Sequence, residues 1–126
     1  MKPVAEGLFE LADDGSLRLV GGYSPSSGQH HFPLAPCCPY TGAEDVERVV
    51  LPSTGVLWLW TAVTTAPPGY EGPLPYGFGV LELDGCGLRV VGRLTEPDPA
   101  ALREGQPMRV VADDLGDGTV TWAFAT

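Results

Sequence analysis

The chain has 126 residues, 7 of them Lys or Arg and 16 Asp or Glu, giving a net charge of −9 and a pI near 4.4. That length supports one domain with a real core, and the acidic balance argues against a protein that neutralises nucleic-acid phosphates or docks on an anionic membrane. With 17 Gly, 13 Pro and 44% hydrophobic residues, the composition is that of a turn-rich all-β chain and not of a disordered segment.

The start, Met1 to Glu6, has no basic segment followed by an apolar one, so no signal peptide is expected, and no apolar run reaches membrane-spanning length. Cys37, Cys38 and Cys86 are odd in number with two adjacent, which implies no disulfide framework and fits a reducing, cytoplasmic setting. Gly7 to Glu10 is expected to form a helical turn, and Asp13-Asp14-Gly15 a turn. Ser16 to Val20 reads as a short strand. Gly21 to Thr41, dense in Gly, Pro, Ser and His, shows no period and is expected to be loop-rich. Val46 to Leu51 reads as a strand leading into the turn Pro52-Ser53-Thr54-Gly55.

Val56 to Thr65 carries no charge, is rich in Val, Thr and Trp, and ends at Ala66-Pro67-Pro68-Gly69, which predicts one long strand. Strict alternation puts Leu57, Leu59, Thr61 and Val63 on one face and Val56, Trp58, Trp60 and Ala62 on the other. A strand apolar on both sides lies inside a barrel or sandwich, or under a partner. Gly77 to Leu83 is the next strand, Asp84-Gly85-Cys86-Gly87 a tight turn, and Leu88 to Leu94 the returning strand. Asp98 to Gly105 has a cap, a proline at the first helical position and a terminal glycine, predicting one short helix. Met108 to Ala112 is a strand, Asp113 to Gly118 a hairpin turn, and Thr119 to Ala125 the last strand.

Five strands with a short helix between the third and fourth is the element order of an OB-fold barrel, whereas a sandwich wants about seven strands. The expected division is residues 1–51 as an N-terminal segment and 52–126 as the barrel, together one compact unit. No internal repeat is evident.

The runs Gly55 to Val63, Pro75-Tyr76-Gly77-Phe78-Gly79-Val80-Leu81-Glu82-Leu83-Asp84-Gly85, Leu88 to Leu94 and Leu102 to Val111 follow one another in a recognisable order. In that order the chain resembles the domain of unknown function 35 family, acyl-CoA-associated OB-fold proteins with a rubredoxin-like zinc ribbon before the barrel, and the resemblance covers roughly residues 17–125. The resemblance places two Cys-x-x-Cys knuckles at Ser24, Ser27, Cys38 and Thr41, with the Phe32-Pro33 step between them. Cys38 alone keeps a thiolate, and hydroxyls do not replace thiolates on zinc. The implied unit is a degenerate, metal-free ribbon, weaker for want of the ion, and zinc is not expected.

The residues offer further chemistry. His30, His31, Cys37 and Cys38 are zinc-type ligands, but as adjacent pairs they lack the usual separations, and a loop with partly exposed imidazoles is the plainer account. A Cys nucleophile from this set with a His base lacks a helix start or an oxyanion hole, and Cys86 reads as a spectator. Asp113, Asp114 and Asp117 with Gly118 lack the ligand alternation of a calcium loop and read as a solvated hairpin. Asp13-Asp14 and Glu44-Asp45 read as ordinary acidic turns. No phosphate loop or nucleophile elbow is present.

Arg89 and Arg93, four apart on one strand face, could meet coenzyme A phosphates or partner carboxylates, or be simply solvated. Trp58 and Trp60 are core if inward and partner contacts if outward. The resemblance implies a non-catalytic accessory subunit of a thiolase-superfamily enzyme that makes or breaks carbon–carbon bonds on acyl-CoA substrates. The partner would supply the catalytic residues. The alternative is a free-standing module that binds coenzyme A thioesters.

Overall fold

Alternating apolar residues and frequent glycine turns make strands almost throughout this computed structural model, which describes residues 2–3, 7–68, 74–115 and 118–126. In chain order the strands are β1 (Lys2–Pro3), β2 (Phe9–Leu11), β3 (Leu17–Ser24), β4 (Gln29–His31) and β5 (Glu47–Val50). Then follow β6 (Thr54–Val63), β7 (Tyr76–Leu83), β8 (Arg89–Leu94), β9 (Pro107–Asp114) and β10 (Thr119–Ala125).

Strands β6, β7 and β8 form an antiparallel meander. β8 then pairs in parallel with β10, through Arg93 with Ala123 and Leu94 with Phe124. β10 runs antiparallel to β9, and β9 returns to the start of β6 through Arg109 with Thr54. The ring β6–β7–β8–β10–β9 is thereby closed, the arrangement of an OB-fold. Closure removes most of the exposed strand edges that invite pairing with other chains. Leu57, Leu81, Leu83, Val90, Val120 and Phe124 point inward and are essentially inaccessible. Each contributes roughly 1.5–3 kcal/mol by leaving water.

The N-terminal part builds a second small sheet around β3, which pairs with β2, β4 and β5. It shares the barrel's core, since Leu17, Leu19 and Leu51 belong to the same buried cluster. Trp122 of β10 joins the two parts. Its ring meets Phe9 at 6.2 Å and Phe32 at 5.4 Å, both edge-on, and its Nε1 donates to the Val91 carbonyl at 2.7 Å. Gly92 makes room for it, because a Cβ there would lie 2.8 Å from Trp122 Nε1.

Several expectations need correction. The short helix is a single 3₁₀ turn, Pro99–Ala101, capped by the Asp98 carboxylate, which accepts from the Ala100 N–H. One turn yields too few hydrogen bonds to propagate, and Leu102 turns extended to bury its side chain. The helical turn expected at Gly7 to Glu10 gives way to β2, where pairing with Leu17–Leu19 lets Phe9 and Leu11 pack on the core. The stretch expected to be loop-rich holds the second half of β3 and all of β4. Gly21 and Gly22 hide the strand signal, yet Gly22 is needed because the His31 ring packs where its Cβ would be. Gly69 and Asp117, expected in turns, lie outside the described residues. No helix among the described residues is long and apolar enough to cross a membrane.

Candidate functional site

Strand β6 does not keep strict alternation. Its pairing with β7 passes from Leu57 opposite Leu81 directly to Leu59 opposite Val80, so Trp58 is the extra residue of a β-bulge. Beyond the bulge the two faces exchange. Leu57 is buried at 1% exposure, whereas Leu59, expected beside it, is 54% exposed. Trp60 turns toward the core and donates from Nε1 to the Pro99 carbonyl at 3.1 Å. Trp58 stays outside, 38% exposed.

The bulge thus builds an apolar outer face. Leu59, Val80 and Val91 stand in one cross-strand row over β6, β7 and β8, with Phe78 in the next row beside Thr61 and Arg93. Val91 and Phe78 are exposed like Leu59. A shallow groove of about 300 Å³ runs between Leu59, Trp60, Phe78 and Val80. Arg89 and Arg93, expected on one face, do flank this patch, each over an aromatic ring. The Arg89 guanidinium lies 3.7 Å from the Trp58 ring centroid and 3.8 Å from a Glu82 carboxylate oxygen. Arg93 lies 4.6 Å from the Tyr76 ring and donates from Nε to Asp113 at 3.1 Å. Arg93 is the more buried and the more tightly held of the two.

The four positions matched to zinc knuckles lie on two similar turns. The Ser27 and Gly28 N–H groups both bond the Ser24 carbonyl, and Gly42 N–H bonds the Cys38 carbonyl. These turns bring Ser27 Oγ to 3.7 Å from Cys38 Sγ. Ser24, fully buried, donates to Asp45 at 2.5 Å, and the same carboxylate accepts the Ser26 N–H at 2.8 Å. Those hydroxyl and amide donors, Ser24 first, hold the Asp45 pKa down to about 2. Donors from the Thr41 hydroxyl, the Tyr40 backbone and the Ser27 hydroxyl bring the Cys38 thiol down to about 6, against the opposing effect of desolvation. A zinc ion does not fit this set. It offers one sulfur, and its hydroxyls are spent on a carboxylate and a thiol. Asp45, read in the sequence as part of an ordinary turn, is the residue that ties the cluster together.

His30 and His31 diverge, as neighbours on a strand must. His30 stacks against Tyr23 at 4.8 Å. His31 is buried, and its Nε2 accepts the Ala35 N–H at 3.2 Å, so it is not available as a base toward Cys38. No cluster of three His, Cys, Asp or Glu side chains suited to a metal occurs among the described residues. Cys86 lines a pocket of about 240 Å³ with His30 and Tyr40, between the turns of the two sheets. Asp113 is engaged by Arg93, and Asp114 accepts the Gly118 N–H at 3.3 Å.

Residues 48–113 match the family described as the ChsH2 C-terminal OB-fold domain. A DUF35 domain-containing scaffold protein of Pyrococcus furiosus is 32% identical over 111 residues, covering 85% of this chain and 80% of that protein. One of the same description from Methanocaldococcus jannaschii is 25% identical over 111 residues, covering 84% and 78%. Among solved structures, a chain of the Ltp2-ChsH2(DUF35) aldolase superposes with a TM-score of 0.69 at 24% identity, over 86% of this chain and 84% of that one. That likeness is one of fold.

Proposed function

The chain belongs to the DUF35 family of OB-fold proteins, and from that premise we propose that it is a non-catalytic accessory subunit of a thiolase-superfamily enzyme acting on acyl-CoA substrates. The observation that carries this reading is the exposed apolar face of β6–β7–β8 on a chain whose relatives are described as scaffold proteins. Large exposed apolar patches mark protein contacts. The catalytic residues for carbon–carbon bond formation or cleavage belong to the partner in this reading.

Trp58 is the proposed aromatic partner contact. Trp60 supports the same face from beneath, through its hold on Pro99. Arg89 is the proposed contact for coenzyme A phosphates, as an arginine offers them paired donors, and Arg93 a second contact only if it releases Asp113. A free-standing coenzyme A module is the weaker reading, because a polyanionic ligand gains little from a chain of net charge −9. No zinc or other cofactor is proposed for the ribbon, and the reducing cytoplasm is the proposed location.

The test is to measure acyl-CoA turnover by a thiolase-like subunit from the same genome, alone and with this chain added. The reading expects activity or stability of that subunit to depend on the chain. Micromolar binding of an acyl-CoA by the isolated chain, with no effect on such a subunit, would favour the free-standing module.

A further inference from the structure

We infer that the outer face of β6, β7 and β8, centred on the Leu59–Val80–Val91 row, docks a different protein subunit whose contact surface is apolar at its centre and basic at its rim. The inference rests on the accessory-subunit reading and adds where the partner sits and what charge it carries.

The face is built, not incidental. The bulge at Trp58 turns Leu59 outward, and register then sets Leu59 beside Val80 and Val80 beside Val91. Side chains directly opposite on adjacent strands lie about 5 Å apart, so the row is a continuous aliphatic strip across three strands. Leu59 and Val91 remain 54% and 51% exposed. This is the barrel face with which many OB-folds take oligonucleotides, but here its middle is aliphatic. Val50 on β5 is comparably exposed, at 46%, but it stands apart from the row, and lone apolar residues need no explanation.

Charge decides what covers the strip. Its flanking cations each face a carboxylate, Arg89 with Glu82 and Arg93 with Asp113, so the face has little field of its own. Beyond it the chain carries a net −9. A second copy would bring an equal negative charge to the contact, which like-charge repulsion opposes. A basic-rimmed partner is drawn in by the same field and meets a neutral apolar centre.

The experiment compares Val91→Asp and Leu59→Asp with Val50→Asp, each co-expressed with the thiolase-like subunit from the same genome. All three sites are exposed, and circular dichroism with thermal unfolding verifies that each variant folds. The expected result is that Val91→Asp and Leu59→Asp each weaken the complex roughly tenfold or more, that Val50→Asp does not, and that raised salt slows association. A complex undiminished by both face variants contradicts the placement. So does a wild-type homodimer that Val91→Asp dissociates, because the occupant would then be a second copy. Failure of the unaltered chain to form any complex contradicts the accessory-subunit reading itself, and the inference with it.

Discussion

The guanidinium carbon of Arg89 lies 3.7 Å from the centroid of the Trp58 ring. Trp58 follows the inward Leu57 and so keeps its indole outside, and β8 carries the cation to it across the edge of the apolar strip. An exposed cation–π contact is worth about 0.5–1 kcal/mol, so Arg89→Ala should lower the unfolding midpoint only slightly. If Arg89 is the proposed coenzyme A contact, the effect on ligand should be larger, with weaker coenzyme A binding by the assembled complex read by titration calorimetry. Unchanged binding in that variant would remove Arg89 from the phosphate site.

Trp122 fastens the N-terminal sheet to the barrel through Phe9, Phe32 and the Val91 carbonyl. Trp122→Ala should cost roughly 3–5 kcal/mol, the usual range for truncating a large packed aromatic ring. Hydrogen exchange gives the sharper readout. Protection should fall first in Phe9–Leu11 and Leu17–Ser24 and last in the barrel strands, and a uniform loss would contradict the fastening role.

Cys38 makes stability depend on pH in a defined window. Its thiol stands at about 6 in the folded chain against an ordinary 9.0. A lowered acid pKa stabilises the fold fully above the unfolded value, and that contribution disappears as pH falls through the folded value. Denaturant midpoints should therefore rise between about pH 6 and pH 9. Cys38→Ser should flatten that rise, whereas an equal slope in the variant would assign it to another group.

Asp45 holds one knuckle turn from outside by accepting from Ser24 Oγ and the Ser26 N–H. Asp45→Asn should lower the thermal midpoint by several degrees, with no recovery on adding zinc. Metal analysis of the purified chain should find no stoichiometric zinc. Zinc bound at one ion per chain would show that the ribbon is not held by these hydrogen bonds alone.

The barrel was legible in the sequence because its strands alternate cleanly, as in Val80-Leu81-Glu82-Leu83, and because glycine turns separate them. The faces of β6 were legible only as far as Leu57. A bulge adds one residue without any composition signal, so alternation carried past it set Leu59 on the face of Leu57 and Trp60 on the face of Trp58, whereas the structure parts both pairs. The second half of β3 was hidden because Gly21 and Gly22 have no side chain to show a period, and the strand there is fixed by what packs on it. Asp45 and Trp122 owe their roles to partners 21 and 31 residues away, Ser24 and Val91. Local pattern could not name those partners.

The central claim is that this chain works as part of an assembly with a different protein. The most direct measurement is the mass in solution of the purified chain, alone and mixed with the thiolase-like subunit from the same genome, by light scattering behind size exclusion. The account predicts one defined complex containing both proteins, formed by the unaltered chain and lost on Val91→Asp. Two species that elute separately at micromolar concentration would contradict it.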